Sequence, residues 1–64
     1  MEDKRTYIEK IDSVAHWLPQ HVLSDVYQRC NDWIVAGGKP NDHYIERQFE
    51  YAKRFLPEKV KNNF

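Results

Sequence analysis

Residues 22–45 decide the fold, and they read VLSDVYQRCNDWIVAGGKPNDHYI. Apolar side chains recur in the first part of this stretch at spacings of three and four, as on one stripe of a helix. They are Val22, Leu23, Val26, Tyr27, Cys30, Trp33 and Ile34. Gly37 and Gly38 then end the helix, because glycine adopts the left-handed cap conformation without strain. We therefore predict a second helix over about 20–36, followed by a turn at Lys39–Asp42.

The residues before this helix contain a helix start and a helix stop. Thr6 and Glu9 have the spacing of a capping box, in which a hydroxyl and a carboxylate satisfy free backbone amides. One apolar stripe follows, and it consists of Tyr7, Ile8, Ile11, Val14, Ala15 and Leu18. Pro19 cannot continue this helix, but it suits the first turn of the next one. We predict the first helix over about 6–17.

A third apolar stripe lies behind the glycine pair. It consists of Tyr44, Ile45, Phe49, Ala52, Phe55 and Leu56, with Tyr51 at its border. Asn41 or Asp42 is the expected cap at its start, and Pro57 ends or kinks the helix. We predict the third helix over about 42–56 and a frayed tail over 57–64, because that tail is largely polar.

The whole chain is predicted to be one all-α domain, a small three-helix bundle. Its 64 residues are too few for two separate cores. No segment alternates apolar and polar residues over the length of a strand, so a sheet is not expected. Helix two is expected to be central, because it is the longest and the most apolar of the three.

Charge, cysteine content and hydropathy exclude several classes of protein. Ten Lys and Arg balance ten Asp and Glu, so no overall field attracts nucleic acid, a membrane or an acidic substrate. No apolar run approaches the ~20 residues of a membrane span, and none follows the polar start at Met1–Arg5. The single Cys30 cannot form an internal disulfide. We expect a cytoplasmic protein without a membrane segment.

No pattern typical of catalysis or of metal binding is found. His16 and His21 flank a proline and do not share a helical face, so they lack the spacing of metal ligands. Cys30 lies within the stripe of helix two, where a buried thiol is the ordinary outcome. Glu46 and Glu50 share an outer face beside cations, which is typical of solvated ion pairs. We expect no enzyme, no metal and no cofactor.

Aromatic content favours an interaction surface. Nine aromatic residues overfill a core of this size, so some rings should lie at the surface. Trp17 falls outside the stripe of its own helix, and Tyr44 and Tyr51 are the next candidates. Exposed rings favour a homodimer and docking onto an unidentified protein partner. The alternative for Trp17 is that it folds over the helix junction and completes the core.

The alternative function is nucleic-acid binding by the basic C-terminal end. Lys53, Arg54, Lys59 and Lys61 oppose only Glu58 there, and four cations can contact a few phosphates. Cations also suit the C-terminus of a helix, which is their commoner role, and the connection before helix three is long for a helix-turn-helix. We therefore favour an interaction module over an accessory nucleic-acid binder.

One set of residues over about 16–56 forms a recognisable pattern. It comprises Leu18-Pro19, Val22-Leu23, Asp25-Val26, Arg29, Asp32-Trp33, Gly37-Gly38, Asp42, Tyr44-Ile45, Gln48 and Tyr51-Ala52. Its most specific part is Asp32-Trp33 before the glycine pair, followed by Tyr44-Ile45. The pattern resembles a domain of unknown function in small proteins of Gram-positive bacteria, their phages and integrative elements, with Cys30 in place of an aliphatic residue. The resemblance implies a bacterial or phage cytoplasmic protein, accessory or regulatory, and the family offers no established catalytic residues to transfer.

Overall fold

A computed structural model describes residues 4–63, and this part of the chain is helical apart from its connections. The helices are α1 (Tyr7–Val14), α2 (Gln20–Val35), α3 (His43–Lys53) and the single turn α4 (Glu58–Lys61), with a 3-10 turn at Ala15–Trp17. The described residues contain no strand. The predicted small all-α bundle is confirmed.

α1 begins with the predicted capping box. The Thr6 hydroxyl accepts the Glu9 N–H at 3.2 Å, and the Glu9 carboxylate accepts the Thr6 N–H at 3.0 Å. After the 3-10 turn Leu18 is extended, with ψ at 142°. This follows from Pro19, which disfavours helical geometry in the residue before it. α2 then starts directly after Pro19.

α2 ends in a glycine cap. Gly37 has a φ of +103°, in the left-handed region that favours glycine. Its N–H donates to the Ile34 carbonyl at 3.0 Å, and the Gly38 N–H donates to the Trp33 carbonyl at 2.8 Å. Those two bonds make a Schellman motif, which satisfies carbonyls that the helix itself leaves free.

The Trp33 side chain closes the corner between α2 and α3. Its indole stacks on the Tyr44 ring, with 4.6 Å between centroids and 17° between planes. The indole N–H donates to the Asp42 carboxylate at 3.0 Å, and the same carboxylate accepts the Lys39 N–H at 2.8 Å. A Cβ atom on Gly38 would overlap the indole, so glycine is what permits this approach. We call Trp33, Gly38, Asp42 and Tyr44 the Trp33 corner.

The core is built from the three predicted stripes. Its buried hydrophobic side chains are Ile11, Val14, Leu18, Val22, Val26, Cys30, Ile45, Phe49, Ala52 and Leu56. Half-buried side chains, among them Tyr7, Tyr27 and Val60, pack against this cluster. Burial of these positions is the main stabilising contribution in so small a chain.

α3, rather than α2, occupies the central position, because it packs against both α1 and α2. This corrects the prediction that helix two is central. The physical reason is that α3 buries two rows of side chains, whereas α2 fully buries one row at four-residue spacing. The rows of α3 are Ile45 with Phe49 and Gln48 with Ala52, and the row of α2 is Val22, Val26 and Cys30.

The C-terminal part of the chain differs from the prediction in two respects. α3 ends at Lys53, and residues 54–56 continue as turns whose N–H groups donate to carbonyls three residues back. Pro57 disfavours helical geometry at Leu56, so the helix cannot continue through this segment. The predicted frayed tail contains α4, whose Val60 packs against the core. Phe64 lies outside the described residues.

Candidate functional site

A surface groove of about 560 Å³ runs along α3. Its lining residues, which we call the basic groove, are Arg47, Glu50, Tyr51, Lys53, Arg54 and Lys61. A smaller depression of about 280 Å³ shares Arg47 and Tyr51 with it. Asp25 and Arg29 of α2, an ion pair at 3.1 Å, also line that depression.

Helical spacing assembles most of the basic groove. Arg47 precedes Tyr51 by four residues and Arg54 follows it by three, so the three side chains share one face of α3 and its C-terminal cap. Lys61 joins them from α4. The groove therefore requires the chain to turn at Pro57 and bring α4 back toward α3.

Lys53 is the cation of the groove whose charge already has partners. It donates to Glu50 at 3.3 Å, and its Nζ atom lies 5.3 Å from the centre of the Phe49 ring. The other three cations of the groove have no ion-pair partner within residues 4–63. Their positive charge is therefore available to an anionic ligand.

Charge is distributed unevenly along the neutral chain. From residue 47 onward there are five Lys or Arg and two Asp or Glu, a net charge of +3. The first 46 residues contain five Lys or Arg and eight Asp or Glu, a net charge of −3. Because exposed charges are screened beyond about 8 Å at physiological salt, the basic groove attracts anions locally although the whole chain is neutral.

Aromatic rings are exposed at two places. Trp17, in the 3-10 turn, is 47% exposed, and the His16 ring lies 4.9 Å from it. Tyr51 and Phe55 are 39% and 38% exposed and meet edge to face at 5.4 Å. Two of the three predicted interface residues, Trp17 and Tyr51, thus lie at the surface, and Phe55 joins Tyr51 there.

The structure places Tyr44 differently from the prediction. Its ring is half-buried and stacks on Trp33 instead of lying free at a surface. The cause is the short connection after the glycine cap, which sets the first turn of α3 beside the last turn of α2. Tyr44 therefore stabilises the Trp33 corner, and we do not include it in the candidate interface.

The predicted phosphate contacts are brought together in part. Lys53, Arg54 and Lys61 line the basic groove, whereas Lys59 is exposed outside its lining. Arg47 also belongs to the groove, although it was not among the predicted contacts. The available signal was its position on the helical face of Arg54, two turns earlier.

The thiol of Cys30 is poorly placed for catalysis. It is 3% exposed, and its burial, followed by the negative charge of Asp12, raises its pKa. The nucleophilic form of cysteine is the thiolate, which a raised pKa disfavours. Over residues 4–63, no three or more His, Cys, Asp or Glu side chains are grouped to hold a metal ion. No helix in that same range is long and apolar enough to cross a membrane.

Two polar contacts join the helices. The Tyr7 hydroxyl of α1 donates to the Glu46 carboxylate of α3 at 3.0 Å, and His43 lies 3.0 Å from the other Glu46 oxygen. Hydrogen bonds from His43 and then Tyr7 hold the pKa of Glu46 below its usual value. The Tyr27 hydroxyl of α2 donates to Asp12 of α1, and burial, then this bond, raises the pKa of Tyr27 to about 12. Both contacts therefore hold α1 against a neighbouring helix.

A comparison with protein families matches residues 5–57 to a model described as a family of unknown function, DUF6877. The chain belongs to this family. The predicted resemblance to a domain of unknown function is thereby confirmed, and the match extends it to the start of α1. No curated protein and no solved structure matches the chain.

The DUF6877 match covers most of the basic groove. Arg47, Tyr51 and Arg54 lie within it, as does the whole Trp33 corner, whereas α4 with Lys61 follows its end at residue 57. The helical face that carries the aromatic pair, together with Arg47 and Arg54, is therefore part of the family domain.

Proposed function

We propose that this chain is a small non-enzymatic interaction module, which acts by pairing with a second copy and by docking onto a protein partner. The observation that carries the proposal is the exposure of Trp17, Tyr51 and Phe55 on a chain of 64 residues. Trp17 and Tyr51 are large rigid rings with a polar atom, a kind enriched where proteins meet. Tyr51 and Phe55 also form a group of exposed rings, which monomers seldom leave uncovered.

Trp17 is the residue we assign to self-association. About half of its surface is exposed, whereas Val14 and Leu18 of the same segment are buried in the core. A second copy related by a two-fold axis is the simplest cover, because the same patch then meets itself.

Sedimentation equilibrium tests this part of the proposal. We expect the wild-type chain to form a dimer at micromolar concentration and the Trp17→Ala variant to be a folded monomer. Val35→Ala is the matched control, since Val35 is 78% exposed and its removal also reduces apolar surface. A wild-type chain that stays monomeric at millimolar concentration contradicts the proposal, and so does a Trp17→Ala variant that remains a dimer.

A second candidate function, accessory nucleic-acid binding, is favoured by the convergence of Lys53, Arg54 and Lys61 with Arg47 in one groove. Contacts between cations and phosphates release counterions. The logarithm of the binding constant must therefore fall linearly with the logarithm of the salt concentration. Titration of a labelled oligonucleotide at several salt concentrations measures this slope. A slope near zero, or no binding at low salt, rejects this function.

A bacterial or phage origin and a cytoplasmic location complete the proposal. They are supported by the residue pattern that resembles such small proteins, and by a lone buried Cys30 with no partner in the sequence for an internal disulfide. A reducing compartment suits a chain of that kind.

A further inference from the structure

We infer that the basic groove binds single-stranded nucleic acid, with Tyr51 as the platform for a base and Arg47 and Arg54 as contacts for the flanking phosphates. The inference rests on the second candidate function and deepens it, because it names the strand form and the residues that recognise it. It does not depend on the Trp17 dimer.

Along α3 and its C-terminal cap, an exposed aromatic ring lies between two arginines, and this order supports single-strand binding. Arg47 lies about 6 Å before Tyr51 along the helix axis and Arg54 about 4.5 Å after it, at 1.5 Å per residue. The aromatic ring thus stands between two cations on one helical face. A single strand offers the same order of chemistry, a planar base between two phosphates.

The aromatic pair supplies a face for stacking. Tyr51 is 39% exposed, and its ring meets the Phe55 ring at 73° between planes, so the two rings do not stack face to face. Every base has a flat apolar face, so a ring of this kind accepts bases with little regard to sequence. In a duplex those faces are already covered by neighbouring bases.

The state of the charges also favours a phosphate ligand. Arg47, Arg54 and Lys61 have no ion-pair partner within residues 4–63, so a ligand need not break existing contacts to reach them. The acidic member of the groove, Glu50, is paired with Lys53 at 3.3 Å, which reduces its repulsion of phosphate. An acidic protein segment would use the cations and leave the exposed rings without a matching group.

The test is fluorescence anisotropy with three labelled probes: an oligothymidylate strand, a duplex of the same length and polyglutamate. We expect the single strand to bind most tightly. Tyr51→Ala should weaken it about 5- to 150-fold, the equivalent of one stacked base, while Tyr51→Phe should retain the affinity. Arg47→Gln and Arg54→Gln should each lower the steepness of the salt dependence by about 0.7.

Lys59→Gln is the matched control, because it removes one cation from the same end of the chain without changing the groove lining. It should weaken binding less than either arginine variant. Circular dichroism of each variant checks that it is folded, and the preference for the single strand over the duplex remains the test if Tyr51→Ala unfolds.

The outcomes separate this inference from the function on which it rests. Equal or tighter duplex binding, with affinity unchanged in Tyr51→Ala, overturns the single-strand inference and leaves nucleic-acid binding intact. Binding of polyglutamate as tightly as the strand overturns it in favour of an acidic protein ligand. Failure of both nucleic-acid probes to bind at low salt removes the second candidate function together with the inference.

Discussion

Replacing Gly38 by alanine tests the Trp33 corner most directly. The new Cβ atom would come within 2.5 Å of the Cε2 atom of the Trp33 indole and closer still to Nε1 and Cδ1. The indole would have to move away from Tyr44, with which it stacks at 4.6 Å, and from Asp42, which accepts its N–H at 3.0 Å. A rigid bicyclic ring cannot relieve this overlap by bending, so the whole corner must shift.

The expected loss follows from these contacts. Inserting a methyl group into a packed site costs about 1–3 kcal/mol, and the aromatic stack adds about 0.5–1.5 kcal/mol. We therefore expect Gly38→Ala to reduce the free energy of unfolding by about 1.5–4.5 kcal/mol. Since a chain of this size has only ~3–10 kcal/mol in total, the variant should be partly unfolded in mild urea.

A double-mutant cycle assigns the loss to the indole. In a Trp33→Leu background, which keeps an apolar side chain but removes the ring, Gly38→Ala should be neutral or stabilise by about 0.4–1 kcal/mol. Gly37→Ala is the control: nothing lies within 4 Å of its Cβ, but its φ of +103° strains any L residue. It should cost the same in both backgrounds.

Urea unfolding followed by circular dichroism measures all four variants of the cycle and the Gly37 control. An equal cost of Gly38→Ala with and without the indole would show that the Cβ atom does not clash with Trp33. A cost below about 0.5 kcal/mol in the wild-type background would show the same.

Two further predictions concern acid stability and the buried thiol. Hydrogen bonds from the Lys39 N–H and then from the Trp33 indole N–H hold the pKa of Asp42 below its ordinary value of 3.8. The stability that the Asp42 carboxylate contributes is therefore complete above pH 3.8 and is lost as the pH falls through the pKa of the folded state. Unfolding free energies measured from neutral to acid pH should fall less steeply in Asp42→Asn, and parallel curves would contradict this. Cys30→Ser should lower the free energy of unfolding by about 1–3 kcal/mol by burying a hydroxyl, and Cys30→Ala should lose less; an unchanged urea midpoint in Cys30→Ser would show that the thiol is not buried.

The buried positions of the core could be predicted because their apolar side chains recur at helical spacing in the sequence. Ile11 and Val14, or Ile45 and Phe49, recur at the spacing at which a helix returns to the same face, and all four are buried. The ends of the helices at Pro19 and Gly37 are likewise local, since each depends on the dihedral limits of one residue. These features need no knowledge of how the helices meet.

The Trp33 corner could not be predicted, because its contacts depend on the path of a loop. Trp33 and Asp42 are nine residues apart, and the indole N–H reaches the carboxylate only after the glycine cap has reversed the chain. The central position of α3 could not be predicted for a similar reason. Length and hydropathy favour α2, but packing depends on how many faces a helix buries, which is a property of the assembled bundle.

The part of the candidate site on α3 could be predicted from the sequence, but the contribution of α4 could not. Arg47, Tyr51 and Arg54 share a face by spacing alone, so three members of the basic groove follow from α3 itself. The turn at Pro57 and the packing of Val60 together set the position of α4. They therefore decide whether Lys59 or Lys61 lines the groove. Composition cannot distinguish two lysines that are two residues apart.

The most distinctive residues of the sequence therefore serve the fold. Asp32-Trp33, the glycine pair, Asp42 and Tyr44-Ile45 carry the family pattern, and most of them form the Trp33 corner or the core beside it. A loss of function in a corner variant such as Gly38→Ala would then report unfolding, because the corner joins α2 to the helix that carries the groove. Substitutions at Arg47 and Arg54 change exposed side chains without ion-pair partners within residues 4–63, so their effects report on the ligand. If the proposed nucleic-acid binding is correct, its contacts should accordingly be sought on the outer face of α3, where Arg47, Tyr51 and Arg54 lie.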